Sequence, residues 1–280
     1  MSAFIYIVTE GVHDVAFLGR LLTEIHEASR IRRLELLDDD LRSWLNTFTW
    51  PNKVGKYHDI ERLAVAAPVF YRLTTNTVVA IRNAKGLHEI GRTLEVDFEV
   101  FSRAQSGPEA VGIVLDSDDE APEKRFAKMK PLIEAVKMPI PAVLGEVSIS
   151  SPRVGVFALP APGVAGTLED VLLELADAAY PELVAAARRY AAPWRQKADT
   201  ELATADWKEI RKPAGLKKAT IGAMTAVLKP GKSTQVSLED NRWVSEHTKA
   251  LACLQPVLGF LSVLLATHLS AEKQGPREGS

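Results

Sequence analysis

Short runs of apolar, mostly β-branched residues recur along the chain, and polar turns and helical spacing follow them. The first run covers residues 4–8, and after a polar turn apolar residues recur at helical spacing up to Ile25. Similar runs occupy residues 77–81, 111–115 and 154–159. Uninterrupted apolar runs are typical of strands buried on both faces. Strands that alternate with helices favour a parallel sheet with right-handed crossovers, so we expect an α/β fold.

Two other parts of the chain depart from this pattern. Residues 30–75, which include three consecutive aspartates and the pair Trp50-Pro51, fit it poorly and are interpreted as an insertion. From about residue 178 onward no strong strand signal is present, and residues 181–198, 219–228 and 237–269 are mainly helical in pattern. We therefore predict an α/β domain over 1–176, a helical C-terminal lobe over 177–269 and a polar, disordered tail over 270–280.

Composition narrows the class of protein. The formal net charge of −2 gives the molecule no overall basic field. The one cysteine, Cys253, lies in an apolar stretch, which excludes an internal disulfide framework and suits a reducing cytoplasm. The longest apolar run, residues 250–266, contains Pro256 and Gly259 and is shorter than the roughly 20 residues that span a bilayer. We expect a cytoplasmic protein without membrane segments, with a homodimer through the C-terminal helices as one option and a purely core role for these helices as the other.

Acidic residues follow two of the predicted strands. Glu10 comes directly after the first strand and Asp14 lies four residues later, while Asp116 ends the third strand and Asp118 follows. Ligands of open parallel sheets bind at the carboxyl ends of the strands. Clustered carboxylates repel one another unless a cation is bound, and hard oxygen ligands select Mg²⁺ or Mn²⁺. Each acid on its own also suits a helix cap or first-turn position, and that alternative stays open here.

These residues also carry a resemblance to a known family. The segment Val8-Thr-Glu-Gly-Val-His-Asp14 resembles the first motif of the TOPRIM domain, and Val114-Leu-Asp-Ser-Asp118 resembles its Asp-x-Asp motif. Between them, residues 78–81 with Lys85-Gly86 are similar to the middle strand and glycine turn of that domain. The likeness covers about residues 1–160. It departs from the TOPRIM pattern in lacking a glycine after Asp-x-Asp and in the long insertion.

A more specific resemblance is to the DUF3226 family, which is related to TOPRIM. It rests on Pro152-Arg-Val-Gly-Val-Phe, on Gly166-Thr-Leu-Glu-Asp and on Lys218-Ala219. Wider relatives of the TOPRIM domain include the OLD-family nucleases, a ribonuclease that matures ribosomal RNA, bacterial primases and topoisomerases. The resemblance implies that Glu10 is a metal ligand or general acid/base and that Asp116 and Asp118 hold Mg²⁺. Asp14, Glu169 and Asp170 are further candidate ligands, although the last two also suit the start of a helix.

Basic residues identify candidate contacts for a phosphate backbone. Residues 205–232 carry seven lysines and arginines against two acids, among them Lys212, Lys217 and Lys218. A solvated helix surface is the other interpretation of this cluster, and the sequence slightly favours it. Arg82 and Lys85 follow the second predicted strand and therefore lie closer to the predicted metal site; we expect Lys85 to contact phosphate in catalysis.

Three functions remain open from the sequence. The leading hypothesis is a nuclease or related phosphodiester-transfer enzyme that uses Mg²⁺ or Mn²⁺ and acts on DNA or RNA, in repair, RNA processing or phage defence. The alternative is a TOPRIM-like module that binds nucleic acid or a protein partner with little or no catalysis. A primase-like nucleotidyl transferase ranks third, because no accompanying zinc module is evident.

Overall fold

A computed structural model of the chain describes residues 4–48, 67–104, 106–200 and 205–266. In these ranges the chain forms a mixed α/β fold in which helices cover both faces of a six-stranded sheet. The strands are β1 (Phe4–Thr9), β2 (Ser29–Ile31), β3 (Val69–Arg72), β4 (Val78–Asn83), β5 (Ala110–Asp116) and β6 (Arg153–Leu159). The helices are α1 (Val12–Ile25), α2 (Asp39–Leu45), α3 (Ile90–Arg103), α4 (Pro122–Ala135), α5 (Leu168–Ala179), α6 (Pro181–Thr200), α7 (Lys208–Arg211), α8 (Gly215–Leu228), α9 (Thr234–Asp240) and α10 (Gln255–Leu265).

The sheet has the strand order β2-β3-β4-β1-β5-β6. Strands β4, β1, β5 and β6 are parallel, as predicted from the four apolar runs, which are confirmed as strands. The expectation of a wholly parallel sheet is wrong at one edge, where β2 and β3 pair antiparallel to each other and β3 pairs antiparallel to β4. These two strands have only three and four residues, too few to produce a clear apolar run.

Side chains of β1 alternate between two hydrophobic cores. Ile5 and Ile7 pack on one face together with α1, α5, α8, α9 and α10. Tyr6 and Val8 pack on the other face together with α2, α3 and α4. A strand that is buried on both faces has no polar alternation, which explains the continuous apolar run in the sequence.

The helix that follows β1 lies on one face of the sheet, and the helices that follow its two neighbours, β4 and β5, lie on the other. The chain leaves β1 toward α1 on one face, whereas it leaves β4 and β5 toward α3 and α4 on the other face. Such a reversal opens a crevice at the carboxyl ends of the strands, where ligands bind in open α/β sheets. The fold therefore places a crevice at the carboxyl end of β1.

The C-terminal part of the chain is helical in the described residues, as expected, but the stretch predicted as one helical region from residue 237 is divided. Helix α9 ends at Asp240, and α10 begins only at Gln255, with Pro256 in its first turn, a position where proline is well tolerated. Arg153 of β6 holds the end of α10, because its guanidinium donates to the carbonyl oxygens of Val263 (2.9 Å) and Leu264 (3.1 Å).

The predicted insertion, residues 30–75, is described in part, at residues 30–48 and 67–75. Within the predicted insertion, α2 buries Trp44 in the core of the second face. Trp50-Pro51 and the predicted disordered tail at 270–280 lie outside the described residues. Across the part of the chain that the structure describes, no helix is both long and apolar enough to cross a membrane.

Candidate functional site

Four carboxylates meet in the crevice at the end of β1. Glu10 follows β1, Asp14 lies in the first turn of α1, Asp116 ends β5, and Glu169 lies in the first turn of α5. They line a cleft of about 390 Å³, which we call the acidic cleft. Its lining consists of Glu10, Gly11, Val12, His13, Asp14, Asn83, Lys85, Gly86, Asp116, Glu169 and Lys218. Three parallel strand ends and two helix starts thus deliver these side chains to one place.

Backbone groups hold the carboxylates in position. Asp14 accepts a hydrogen bond from the Gly11 backbone N–H at 2.7 Å, so it also caps α1, as the alternative interpretation had it. Asp116 accepts one from the Leu168 N–H at 2.8 Å, which ties the end of β5 to the start of α5. The Glu10 carboxylate lies 3.4 Å from the Asp116 backbone nitrogen, which donates to it.

Burial and mutual repulsion disfavour the charged forms of these acids. Burial raises the pKa of Asp14 to about 7, and repulsion by Glu10 and Glu169 acts in the same direction. Burial likewise raises the pKa of Asp116 well above its usual range, with repulsion by Asp14 and Glu169 adding to it. Burial also raises the pKa of Glu10. Full ionisation of these acids is therefore costly unless a cation in the cleft compensates their charge.

Glu169 adds a buried oxygen without a partner. Its side chain is almost fully buried, and its Oε2 atom has no hydrogen-bond partner among the described residues. The nearest cation is Lys218, whose Nζ lies 3.9 Å from Glu169 Oε1. An unsatisfied buried oxygen is costly, so it indicates a site for a ligand or an ion. His13 lines the same cleft, and burial lowers its pKa.

Two of the predicted metal ligands have other partners. Asp118 is 43% exposed, forms an ion pair with Arg125 of α4, and does not line the acidic cleft. Its φ of 54° is in the left-handed region, which turns the chain at this point without a glycine. Asp170 caps α5 through the Thr167 N–H at 2.9 Å and pairs with Lys217 at 2.6 Å, in line with the helix-start alternative.

Of the basic residues predicted to contact phosphate, only some line the acidic cleft. Lys85 lines the acidic cleft, held in a turn in which Asn83 Oδ1 accepts its backbone N–H at 2.7 Å. Lys218 lines it as well. Arg82 instead forms an ion pair with the buried Asp97 on the other face of the sheet. Lys212 pairs with Glu209 at 2.7 Å, so little of the basic cluster faces the cleft.

Sequence reasoning missed Asn83, Arg125 and the Leu168 N–H as parts of this region. Asn83 ends β4, so its position at a strand end was an available signal. Arg125 lies in the first turn of α4, whereas Asp118 lies in the loop before that helix, so helical spacing does not reveal the pair. The role of the Leu168 N–H could not be predicted, because every residue except proline has a backbone donor and only the fold shows which acceptor it meets.

The donor set suits a hard divalent cation by its chemistry. Carboxylate oxygens are the ligands that Mg²⁺ and Mn²⁺ prefer, and Glu169 offers an oxygen without a partner. In the described residues, however, no three Asp, Glu, His or Cys side chains stand close enough together to ligate one ion as they are placed. Binding would therefore require the carboxylates to move toward one another, which a cation favours by removing their repulsion.

The chain is similar to known proteins in sequence and in fold. A family model described as "Protein of unknown function (DUF3226)" matches residues 5–261. No curated protein matches the chain significantly. The crystal structure of a hypothetical protein from Pyrococcus horikoshii OT3 is similar over 98% of this chain and 100% of that one, with a TM-score of 0.50 and 14% identity. At this identity the similarity concerns the fold alone.

Proposed function

Since the chain belongs to the DUF3226 family of proteins of unknown function, its activity must be inferred from the site, and we propose a nuclease that uses Mg²⁺ or Mn²⁺ to cleave DNA or RNA. The proposal includes kinship with TOPRIM enzymes, on the strength of the motifs around Glu10 and Asp116. One observation carries it: buried, mutually repelling carboxylates gather in one cleft at the carboxyl ends of parallel strands.

The acidic cleft suggests a division of roles among its residues. Glu10, Asp14, Asp116 and Glu169 would hold the cation, which would supply positive charge for the phosphate oxygens of a substrate. Asp118 would join them only by leaving Arg125. Burial raises the pKa of Glu10 toward neutral pH. A pKa near the working pH suits a general base that accepts a proton from an attacking water. Lys85 and Lys218, at the rim, would neutralise phosphate charge.

Charge-removing variants test this proposal. We expect Glu10→Gln and Asp116→Asn to lose about 100-fold or more of the cleavage of single- and double-stranded DNA and RNA in Mg²⁺ or Mn²⁺. Asp39→Asn is the matched control, because it makes the same change at a side chain that is 89% exposed on α2. Circular dichroism melts would show that all variants are folded. Cleavage by purified Asp116→Asn at the wild-type rate would refute the assignment of the site.

The second candidate is a binding module with little or no catalysis. It is favoured by the absence, among the described side chains, of three potential ligands placed together for a metal. Calorimetric titration with Mn²⁺ separates the two functions, since the nuclease requires uptake of the ion that Asp116→Asn weakens. A wild-type protein that takes up no Mn²⁺ would favour the binding module.

A further inference from the structure

A second and larger cleft adjoins the acidic cleft. It has a volume of about 810 Å³ and lies between the loop that precedes α5 and the segment from residue 206 to α8. We call it the side cleft. Lys218 lines both clefts, and Thr167 of the side cleft precedes Leu168, whose N–H binds Asp116. The two clefts therefore adjoin each other at Lys218 and at the start of α5.

An aromatic surface forms part of the side cleft. Trp207 lines it and is stacked on Trp194 of α6, with ring centroids 5.9 Å apart and planes inclined by 12°. Lys197 lies over the Trp194 ring, with its Nζ 5.5 Å from the centroid. Because Trp207 is stacked with an offset on Trp194, its indole already has a packing partner before any ligand arrives. A fixed indole loses little conformational entropy when a planar group stacks on it.

The segment that carries Trp207 is tied to α6 by further contacts. Arg195 donates to the carbonyl oxygens of Ile210 at 2.7 Å and Lys212 at 2.9 Å. At Gly215 the chain packs so closely that a Cβ atom would lie 2.4 Å from the carbonyl oxygens of Glu209 and Ile210. This wall of the side cleft is therefore preorganised by contacts within the chain.

The charges around the side cleft leave one lysine for a phosphate and do not suit a long anionic ligand. Its lining holds three lysines and four carboxylates, namely Lys212, Lys217, Lys218, Asp118, Asp119, Asp206 and Glu209. Lys212 and Lys217 already pair with acids, whereas the Lys218 side chain is 61% exposed and is 3.9 Å from its nearest acid. Duplex DNA carries about one charge per 1.7 Å of axis and needs a basic surface that this lining does not provide.

We propose that the side cleft binds the end of a single-stranded nucleic acid, with the terminal base stacked on Trp207 and the adjoining phosphodiester at Lys218, beside the acidic carboxylates. This inference rests on the proposed nuclease function and specifies its substrate as a strand end. Stacking on tryptophan tolerates any base, because every base has a π-face. The site therefore selects for an unpaired end rather than for a sequence.

Binding measurements separate this inference from the catalytic proposal. The probe is a fluorophore-labelled single-stranded oligothymidylate, labelled at either end in separate experiments, and anisotropy is followed in EDTA and in Ca²⁺ at low temperature. We expect Trp207→Ala to weaken binding by at least about 5-fold, the lower bound for the loss of one stacked base, and Trp207→Phe to restore most of it. Tyr190→Ala is the matched control, because Tyr190 is a 66% exposed aromatic residue on α6 outside the cleft lining.

Several results would overturn the inference. It falls if Trp207→Ala binds as tightly as the wild type, if Trp207→Phe binds as weakly as Trp207→Ala, or if the wild type binds no oligonucleotide under either condition. It also falls if a blunt duplex binds as tightly as the single strand. If Asp116→Asn abolishes cleavage while Trp207→Ala binds normally, the nuclease proposal stands and the strand-end inference falls. If binding depends on Trp207 but the protein cleaves no nucleic acid, the strand-end inference stands and the nuclease proposal falls.

Discussion

Asp14 has a structural and an electrostatic task at the same time. It caps α1 through the Gly11 N–H, and its charge is repelled by Glu10 and Glu169. The cap persists in either protonation state, because a neutral carboxyl group still has an oxygen that accepts. The cost of burying the charge, and then its repulsion by Glu10 and Glu169, vanish when the group is protonated, so the stability of the metal-free protein depends on the pH.

The direction of this dependence follows from the raised pKa. An unfolded aspartate titrates near 3.9, whereas Asp14 titrates at about 7 in the fold, so the folded state binds the proton more tightly between these values. Its contribution to stability is complete below about pH 4 and is lost as the pH rises through 7. We expect the melting temperature in EDTA to fall from pH 5 to pH 8, Asp14→Asn to fall less steeply, and Mn²⁺ to raise the midpoint at pH 8. A slope for Asp14→Asn equal to that of the wild type would contradict this origin.

Cys253 is expected to be a slow nucleophile. Burial, followed by the neighbouring Glu174, raises the pKa of its thiol to about 11, and the side chain is partly rather than fully buried. With a pKa of about 11 instead of the usual 9, the thiol forms about 100-fold less thiolate at pH 8. Alkylation by iodoacetamide, followed by mass spectrometry, should be slower by about this factor in the folded protein than in the same protein in urea. Equal rates in the two states would show that the thiol is not protected.

At the scale of elements, the close contact of α10 with the sheet depends on two glycines. Gly112 of β5 and Gly155 of β6 are register partners, and a Cβ atom at either would lie 2.6 Å from a side chain of α10, Leu264 or Phe260 respectively. Side chains of α10 therefore fill the space above the strands that other residues would occupy. This contact is a packing constraint that hydrophobic periodicity does not reveal.

Substitution of Gly155 tests this contact. We expect Gly155→Ala to lower the free energy of unfolding by about 1–3 kcal/mol, because the added methyl group meets both Phe260 and Val147. Gly259→Ala is the matched control: it lies within α10 with open space around its Cα, so it should be neutral or stabilising by about 0.5–1 kcal/mol. Urea unfolding measures both. A destabilised Gly259→Ala with an unaffected Gly155→Ala would reverse the interpretation.

The strands that could be predicted from the sequence are those whose own residues form a long apolar run. Strands β1, β4, β5 and β6 are buried on both faces, so their apolar runs are uninterrupted. Strands β2 and β3 are short and each has one polar end, and their pairing depends on contacts between residues more than 30 positions apart. Local periodicity cannot report such pairing.

The residues of the candidate site were likewise predictable only in part from the sequence. Glu10, Asp116 and Lys85 follow strands, so the order of elements alone brought them to one edge of the sheet. The orientation of Asp118 and Asp170 was not predictable, because each is decided by a cation on another element, Arg125 and Lys217. Such partners emerge only from the tertiary structure.

At the scale of the whole molecule, the C-terminal helices form part of the main core. Ile221 and Met224 of α8, Trp243, and Leu264 of α10 are buried in the same cluster as Ile5 of β1. From the first 180 residues, helices α1 and α5 join this cluster on the same face of the sheet. The two parts of the chain therefore share one hydrophobic core, even though the sequence pattern changes near residue 178.

A shared core predicts that the α/β part is not stable alone. We expect a fragment of residues 1–180 to be unfolded or aggregated, because removal of α6 to α10 exposes the apolar face of β1, β5 and β6 to water. A truncation that removes only residues 270–280, the tail predicted to be disordered, is the control and should melt like the intact chain. For the intact chain, urea transitions followed by circular dichroism and by tryptophan fluorescence should coincide. A soluble 1–180 fragment with a cooperative transition of its own would instead establish two independently folding units.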